Sequence, residues 1–478
     1  MYLIDPAKHT RRAFLRRAGQ LAFTGTALPA ALNLAAIGEA AAFDATDYKA
    51  LVCVFLFGGN DYANTVINYD TTSHSQYATI RGGIAIPRAD LAATVLNPTT
   101  PLPDGKQYAL HPAMTGLAGL FNGGVAAVQL NVGPLVVPLT RQQYNSSNNV
   151  LYPKPPKLFS HNDQQSVWMT SAPEGTTTGW GGQTGDLARS SNTNNVLTCI
   201  SVAGNTVFLS GDQALSYQVS SNGAVRINSL NGNVYGSAQV RAAMTTLALQ
   251  SRSHVLENEY NLVTARAYST EGALTNALNQ FPAANAPFNA FPANNGLANQ
   301  LRLVARLIAA RNVLGTKRQV FFVSMGGFDL HDNLISGQAN LMGQLSGALS
   351  AFYDATVQLG VANSVTAFTA SDFGRTLTSN GDGSDHGWGS HHFVVGGAVQ
   401  GARFVGKAPP VSVTNSTSDA FDQWHVGQGR LLPSTSVDQY AATLARWFGV
   451  SNAELGQILP HIGNFGGTDY PVDLGFMA

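Results

Sequence analysis

From Ser371 to Gly397 the chain reads SDFGRTLTSNGDGSDHGWGSHHFVVGG, setting Asp372, Asp385 and three histidines among glycines before an apolar run. Carboxylates mixed with imidazoles are donors for zinc, manganese or iron, whereas oxygen-only sets suit calcium or magnesium. The same residue types recur elsewhere, each time after an apolar run that reads as a buried strand. Asp61 follows YKALVCVFLFGG, Asp329 and His331 follow QVFFVSMGG, and Asp372, Asp385 and His386 follow SVTAFTAS. Singly, an aspartate after a strand is a helix cap or a turn residue. Together, three strands each deliver a carboxylate to one sheet edge, and like charges gathered there repel unless a cation lies among them. The pattern therefore predicts a metal site. His391 and His392 are adjacent, so both cannot point at one site.

The elements that must position these residues alternate in type. Strand-like runs at 51–57, 125–132, 319–325 and 364–370 are separated by segments of helical spacing, and HFVVGGAV predicts a further strand. Buried strands alternating with helices predict an α/β fold with an open, mostly parallel sheet covered on both faces. Ligands then sit beyond the carboxyl ends of the strands. Residues 236–269 and 297–314 read as long helices, and VDQYAATLARWFGV as a final one. No linker or exact repeat interrupts 43–478, which predicts a single domain with loop insertions at about 138–158 and 270–296.

Composition narrows the setting. Only 11% of the 478 residues are charged against a hydrophobic fraction of 44%, and the formal net charge is zero. That balance gives no reason to expect a nucleic acid or an anionic membrane as partner. Residues 1–42 read as an address. TRRAFLRRAGQ carries the pair Arg11 and Arg12, a moderately apolar run follows, and Ala40, Ala41 and Ala42 offer a cleavage site before Phe43. This resembles a twin-arginine (Tat) signal peptide, so the export machinery is an expected partner and the protein is expected in the periplasm or outside the cell. The run is too short and too polar for a stable membrane span. Cys53 and Cys199 lie in strand-like runs and read as buried free thiols, with pairing open only if their strands adjoin.

Beyond the acids and histidines, FLFGGNDYANT, SHNDQQSVW, GGFDLHDN, SDFGRT, DHGWGSHHFVVGGAVQG and GRLLPSTSVDQYAATLARWFGV occur in this order. With the leader, they resemble the exported bacterial domain-of-unknown-function family 1501. That family is similar to the alkaline phosphatase and sulfatase superfamily, which implies a three-layer αβα fold around a large, mostly parallel sheet. The resemblance also implies one or two divalent metal ions (zinc, manganese, iron or calcium) and hydrolysis of a phosphate or related sulfate or phosphonate ester. It assigns the metal to Asp61, Asp329, His331, Asp372, Asp385 and His386. The attacking nucleophile falls to Ser160, at a helix start whose N–H groups suit an oxyanion. His161 would protonate a leaving group and Arg375 would neutralise the oxyanion.

Two departures from the superfamily stand out. Phe373 follows Asp372 where a histidine is the rule. Ser160 is followed by His161, Asn162, Asp163 and Gln164, so the C/S-x-P-x-R motif of formylglycine sulfatases is absent. These departures keep a second function open: a non-catalytic secreted protein that retains the fold and binds a glycan, an envelope component or a protein.

Overall fold

The structure, a computed structural model, describes residues 45–478. The predicted signal peptide, its twin arginines and its cleavage site lie outside the described residues. Twelve strands form in chain order: β1 Lys49–Leu56, β2 Val66–Asn68, β3 Tyr108–Leu110, β4 Ala126–Gly133, β5 Cys199–Ser201 and β6 Tyr217–Ser220. The rest are β7 Gly223–Ala224, β8 Arg318–Met325, β9 Val365–Ser371, β10 Ser390–Gly396, β11 Arg403–Val405 and β12 Thr435–Ser436. Ten of them make one sheet in the order β11-β4-β10-β9-β1-β8-β5-β6-β7, with β12 beside β4, while β2 and β3 pair separately. The fold is α/β with a large, mostly parallel sheet.

Alternation along β1 divides the core. Val52, Val54 and Leu56 face one side, with Leu117, Leu301, Val304, Leu345 and Phe352. Leu51, Cys53 and Phe55 face the other, with Trp168, Trp180, Tyr440 and Leu444. The first group comes from helices α1 Thr115–Asn122, α3 Gly296–Ala309 and α4 Leu334–Gln358. The second comes from α2 His161–Thr170, Trp180–Ala188 and α5 Val437–Phe448. Three layers result. α5 starts where Ser436 and Gln439 form a capping box, satisfying two of the first turn's orphan N–H groups.

One strand runs against expectation in a way that shapes the site. β10 is antiparallel to both β4 and β9, although β1 pairs in parallel with β8 and β9. Parallel neighbours need a long crossover, usually helical. Residues 372–389 are glycine-rich and form no helix, so the chain turns back beside β9. Its whole loop therefore stays at the edge where β1, β8 and β9 end.

The predicted helix over 236–269 is two helices, Ala238–Leu249 and Val255–Asn279. Asn261 Nδ2 donates to the carbonyls of Leu247 and Gln250 and so satisfies the end of the first helix. The second continues to Asn279 because Leu274, Ala277 and Leu278 pack into the core, which confines the predicted 270–296 loop to residues 280–295. Residues 138–158 hold only the short helix Arg141–Tyr144. Cys53 and Cys199 are free and buried. No helix among the described residues is long and apolar enough to cross a membrane.

Candidate metal centre

The turn after β1 draws three strand ends together. Gly58 has φ 117°, and a Cβ there would lie 2.4 Å from the backbone nitrogen of Asp329. Only glycine allows that approach. The Gly58 N–H in turn donates to Asp372 Oδ2 at 3.2 Å, so β1, β8 and β9 meet at one point.

Around it, three imidazoles and a carboxylate converge. His386 Nε2 lies 3.0 Å from His331 Nε2, 3.1 Å from His161 Nε2 and 3.3 Å from Asp329 Oδ1. Asp329 Oδ1 is also 3.1 Å from His331 Nε2, and its Oδ2 is 3.4 Å from His161 Nε2. Ligands about 2.0–2.1 Å from one tetrahedral zinc ion would stand ~3.3 Å apart. The contacts at His386 have that spacing, and His161, Asp329 and His386 gather their donor atoms within 4.8 Å of one another.

What lies behind each ring explains its orientation. His161 Nδ1 donates to Asp372 Oδ2 at 2.6 Å, His331 Nδ1 faces Asp385 Oδ1 at 3.2 Å, and His386 Nδ1 donates to the Phe159 carbonyl at 2.7 Å. A ring whose proton sits on the outer Nδ1 turns a lone pair inward from Nε2. Inward lone pairs beside a carboxylate repel one another. A shared proton relieves one contact, whereas a divalent cation relieves them all. The residues therefore fit a metal, and the carbonyl and carboxylates behind the rings are the supports that metal-binding histidines use.

The Asp372 hydrogen bond raises the His161 pKa against the opposing effect of burial. Burial foremost lowers that of His386, so it stays neutral and able to bind an ion. Burial alone would raise the Asp329 pKa, but the Arg375 hydrogen bond and charge bring it below the usual carboxylate value.

The sequence-derived residues thus fall into several groups. Asp329, His331 and His386 stand in the cluster. Asp372 and Asp385 stand behind it, each holding a histidine. Asp372 is fully buried and its Oδ2 also accepts from Gln165 Nε2. Asp61 is set apart: its Oδ2 is 2.8 Å from Arg81 Nη2 and accepts from Ser384 Oγ at 2.6 Å, and its Oδ1 accepts from the Asn64 N–H. It reaches the cluster only through Ser384 and Arg375. Arg375 is buried, giving Nη1 to Asp329 Oδ1 and the Gly58 carbonyl and the rest of its guanidinium to Ser384.

His161 has both ring nitrogens committed, one to Asp372 and one in the cluster. Phe373 packs its ring 4.8 Å from both His161 and His386. Ser160 caps α2 without a capping bond and donates instead to Asp163 Oδ2 at 2.8 Å. His391 and His392 are buried away from the cluster, packing on Tyr62 and Trp168, and burial pushes both down to a pKa of about 3.

Arg81, Ser384 and Gln165 were not singled out by sequence reasoning, since nothing local marks them. Nor does the sequence mark the Phe159 carbonyl, whose aim at His386 comes with a left-handed backbone at φ 73° just before α2. Replacing Asp372 by asparagine is expected to weaken metal binding ~10–100-fold, as losses of such supports do. Isothermal titration of the metal-free protein measures it, and an unchanged affinity would separate His161 from the site.

Among known proteins, the family model described as "Protein of unknown function (DUF1501)" matches residues 48–456. No curated protein matches the chain. Among solved structures, one similar chain is Ps i-CgsB in complex with k-i-k-neocarrahexaose, at 10% identity and TM-score 0.31, covering 88% of this chain and 77% of that one. Another is the 4S-sulf protein from the metabolism of multiple glycosaminoglycans by Bacteroides thetaiotaomicron, at 11% identity and TM-score 0.34, covering 87% and 74%. A mutant of alkaline phosphatase PafA follows at 10% identity and TM-score 0.21, covering 70% and 64%.

Proposed function

The chain belongs to the DUF1501 family, and we propose that it is a metal-dependent hydrolase of phosphate or related sulfate or phosphonate esters. One observation carries the reading: the inward Nε2 atoms of His161, His331 and His386 meet the carboxylate of Asp329, each ring held from behind. This set would hold one divalent ion, and three imidazoles with one carboxylate favour zinc, manganese or iron over calcium. A bound ion there supplies Lewis acidity to an ester oxygen and lowers the pKa of a hydroxyl beside it.

The chain's own groups do the rest. Ser160 lies between Phe159, whose carbonyl holds His386, and His161. Its oxygen attacks phosphorus or sulfur, its proton passes to Asp163 Oδ2, and the bond to the leaving oxygen breaks. The leaving oxygen takes that proton from Asp163, and water then adds to the seryl ester, one of its protons returning to the Ser160 oxygen as the bond to that oxygen breaks. The N-terminus of α2 faces the developing negative charge. Because Arg375 is spent on Asp329 and Ser384, recognition of the anionic group passes to Arg430. Its Nε donates to the His386 carbonyl at 2.7 Å and its guanidinium lies 5.3 Å from the Phe159 ring centre, while among the described residues no hydrogen bond involves its Nη groups.

Ser160→Ala is expected to cut turnover of aryl phosphates and aryl sulfates by ~10² or more while leaving bound metal unchanged. Turnover retained in this variant would remove Ser160 as nucleophile. Metal bound at full stoichiometry with no turnover of any ester by the unaltered protein would instead favour the binding-protein reading, which Phe373 in place of a second-site histidine already recommends. The same proposal includes export by the twin-arginine route, for which Arg11, Arg12 and the small residues before Phe43 are the support.

A further inference from the structure

Sixteen large apolar side chains are exposed among the described residues, and nine of them fall between Val225 and Val263. Such concentration marks an interaction surface rather than the scatter normal on a soluble protein. Its centre is the pair of helices Ala238–Leu249 and Val255–Asn279, the first of which buries none of its residues. The second turns Asn261 toward the first and Leu274 and Leu278 toward the core. About three to five turns N-terminal of those leucines the same face of the helix runs out past the core, where its apolar side chains stand exposed among the described residues.

That face has a regular pattern. Leu256, Tyr260 and Val263 are 74%, 72% and 48% exposed, and Ala267 is half-buried. Their spacings of four, three and four residues put them in one stripe along the helix. Read from either end, the spacings are the same. A second copy running antiparallel about a two-fold axis between Asn261 and Leu262 therefore sets Leu256 against Ala267 and Tyr260 against Val263, twice over. A self-complementary patch of this kind is what a two-fold dimer requires.

The charges beside the stripe agree. Glu259 and Arg266 lie on the same flank, 62% and 53% exposed, and pair within the chain at 3.1 Å. In an antiparallel pair of helices, side chains on the same flank of the two stripes face each other across the seam. With the axis placed as above, Arg266 of one copy lies two residues, or ~3 Å, along the helix from Glu259 of the other. Both salt bridges can then form between copies, and each favours this register. We propose that this face is the interface of a homodimer built on antiparallel Val255–Asn279 helices. The proposal is independent of the catalytic reading, since no cluster residue lies on this helix.

Sedimentation equilibrium on the full chain tests it. The unaltered protein is expected at twice the chain mass at ~10–50 µM, a range typical of interfaces of modest area. Leu256→Glu with Val263→Glu replaces exposed side chains, so the fold stands, which circular dichroism checks, and the mass should fall to one chain. Glu259→Arg alone and Arg266→Glu alone should each weaken the dimer ~5–10-fold, and the double exchange should restore it. A protein that stays at one chain mass throughout this range overturns the proposal. So does a dimer indifferent to Leu256→Glu with Val263→Glu. A monomer that co-sediments with phosphatidylglycerol vesicles would overturn it in favour of a membrane surface.

Discussion

Alanine in place of His386 is expected to remove the bound divalent ion and, with it, at least ~10³-fold of ester hydrolysis, leaving the fold intact. His386 is the hub of the cluster: its Nε2 meets the Nε2 atoms of His331 and His161 at 3.0 and 3.1 Å and Asp329 Oδ1 at 3.3 Å. Taking it away leaves only the Asp329 carboxylate between His161 and His331. It costs little in packing, because the ring is partly open to solvent. Elemental analysis and turnover of an aryl phosphate, measured on the same preparation, check the result. Retention of a full equivalent of metal would mean that the ion lies elsewhere.

The second large effect is on stability. Arg81 is fully buried against Asp61, itself only 3% exposed. Arg81→Met should lower the unfolding free energy by ~3–5 kcal/mol, because it strands a buried carboxylate without its cation. Ser384 and the Asn64 N–H remain as partners and soften the loss. Pairing the change with Asp61→Asn should recover part of it, since no unpaired charge is left. Urea denaturation measures both. Metal content at equal folded fraction should not change in either variant, and its loss would bring Asp61 back beside the ion.

These two expectations mark where sequence reasoning ended. The acids were legible because each follows a continuous apolar run, and such runs become the central strands β1, β8 and β9. The helix start at Ser160 was legible from its polar entry into SVWM. The partner of Asp61 was not. Arg81 lies twenty residues downstream, at the end of the helix Thr71–Arg81, and only tertiary folding shows that Asp61 is held by it. The two imidazole nitrogens of His161 could not be assigned either, since their roles depend on the reversal of β10, which brings His386 back over Asp372. Helical period is likewise blind to the break after Leu249, which depends on one side chain, Asn261.

The sharing of work among the aspartates follows from exposure. Asp329 is 45% exposed at its side chain and can give an oxygen to an ion. Asp372 is fully buried, so its charge serves the His161 ring and the Gly58 turn. Among the described residues Asp372 Oδ1 has no hydrogen-bond partner and no access to solvent, a cost that the charged pair with His161 offsets when that ring is protonated or bound to a cation.

The most direct test is anomalous diffraction from crystals of the full chain grown with zinc or manganese and recorded at the metal's absorption edge. The account predicts one strong peak bounded by His161 Nε2, Asp329, His331 Nε2 and His386 Nε2. A peak beside Asp61 instead, or no peak in protein at saturating metal, would contradict it.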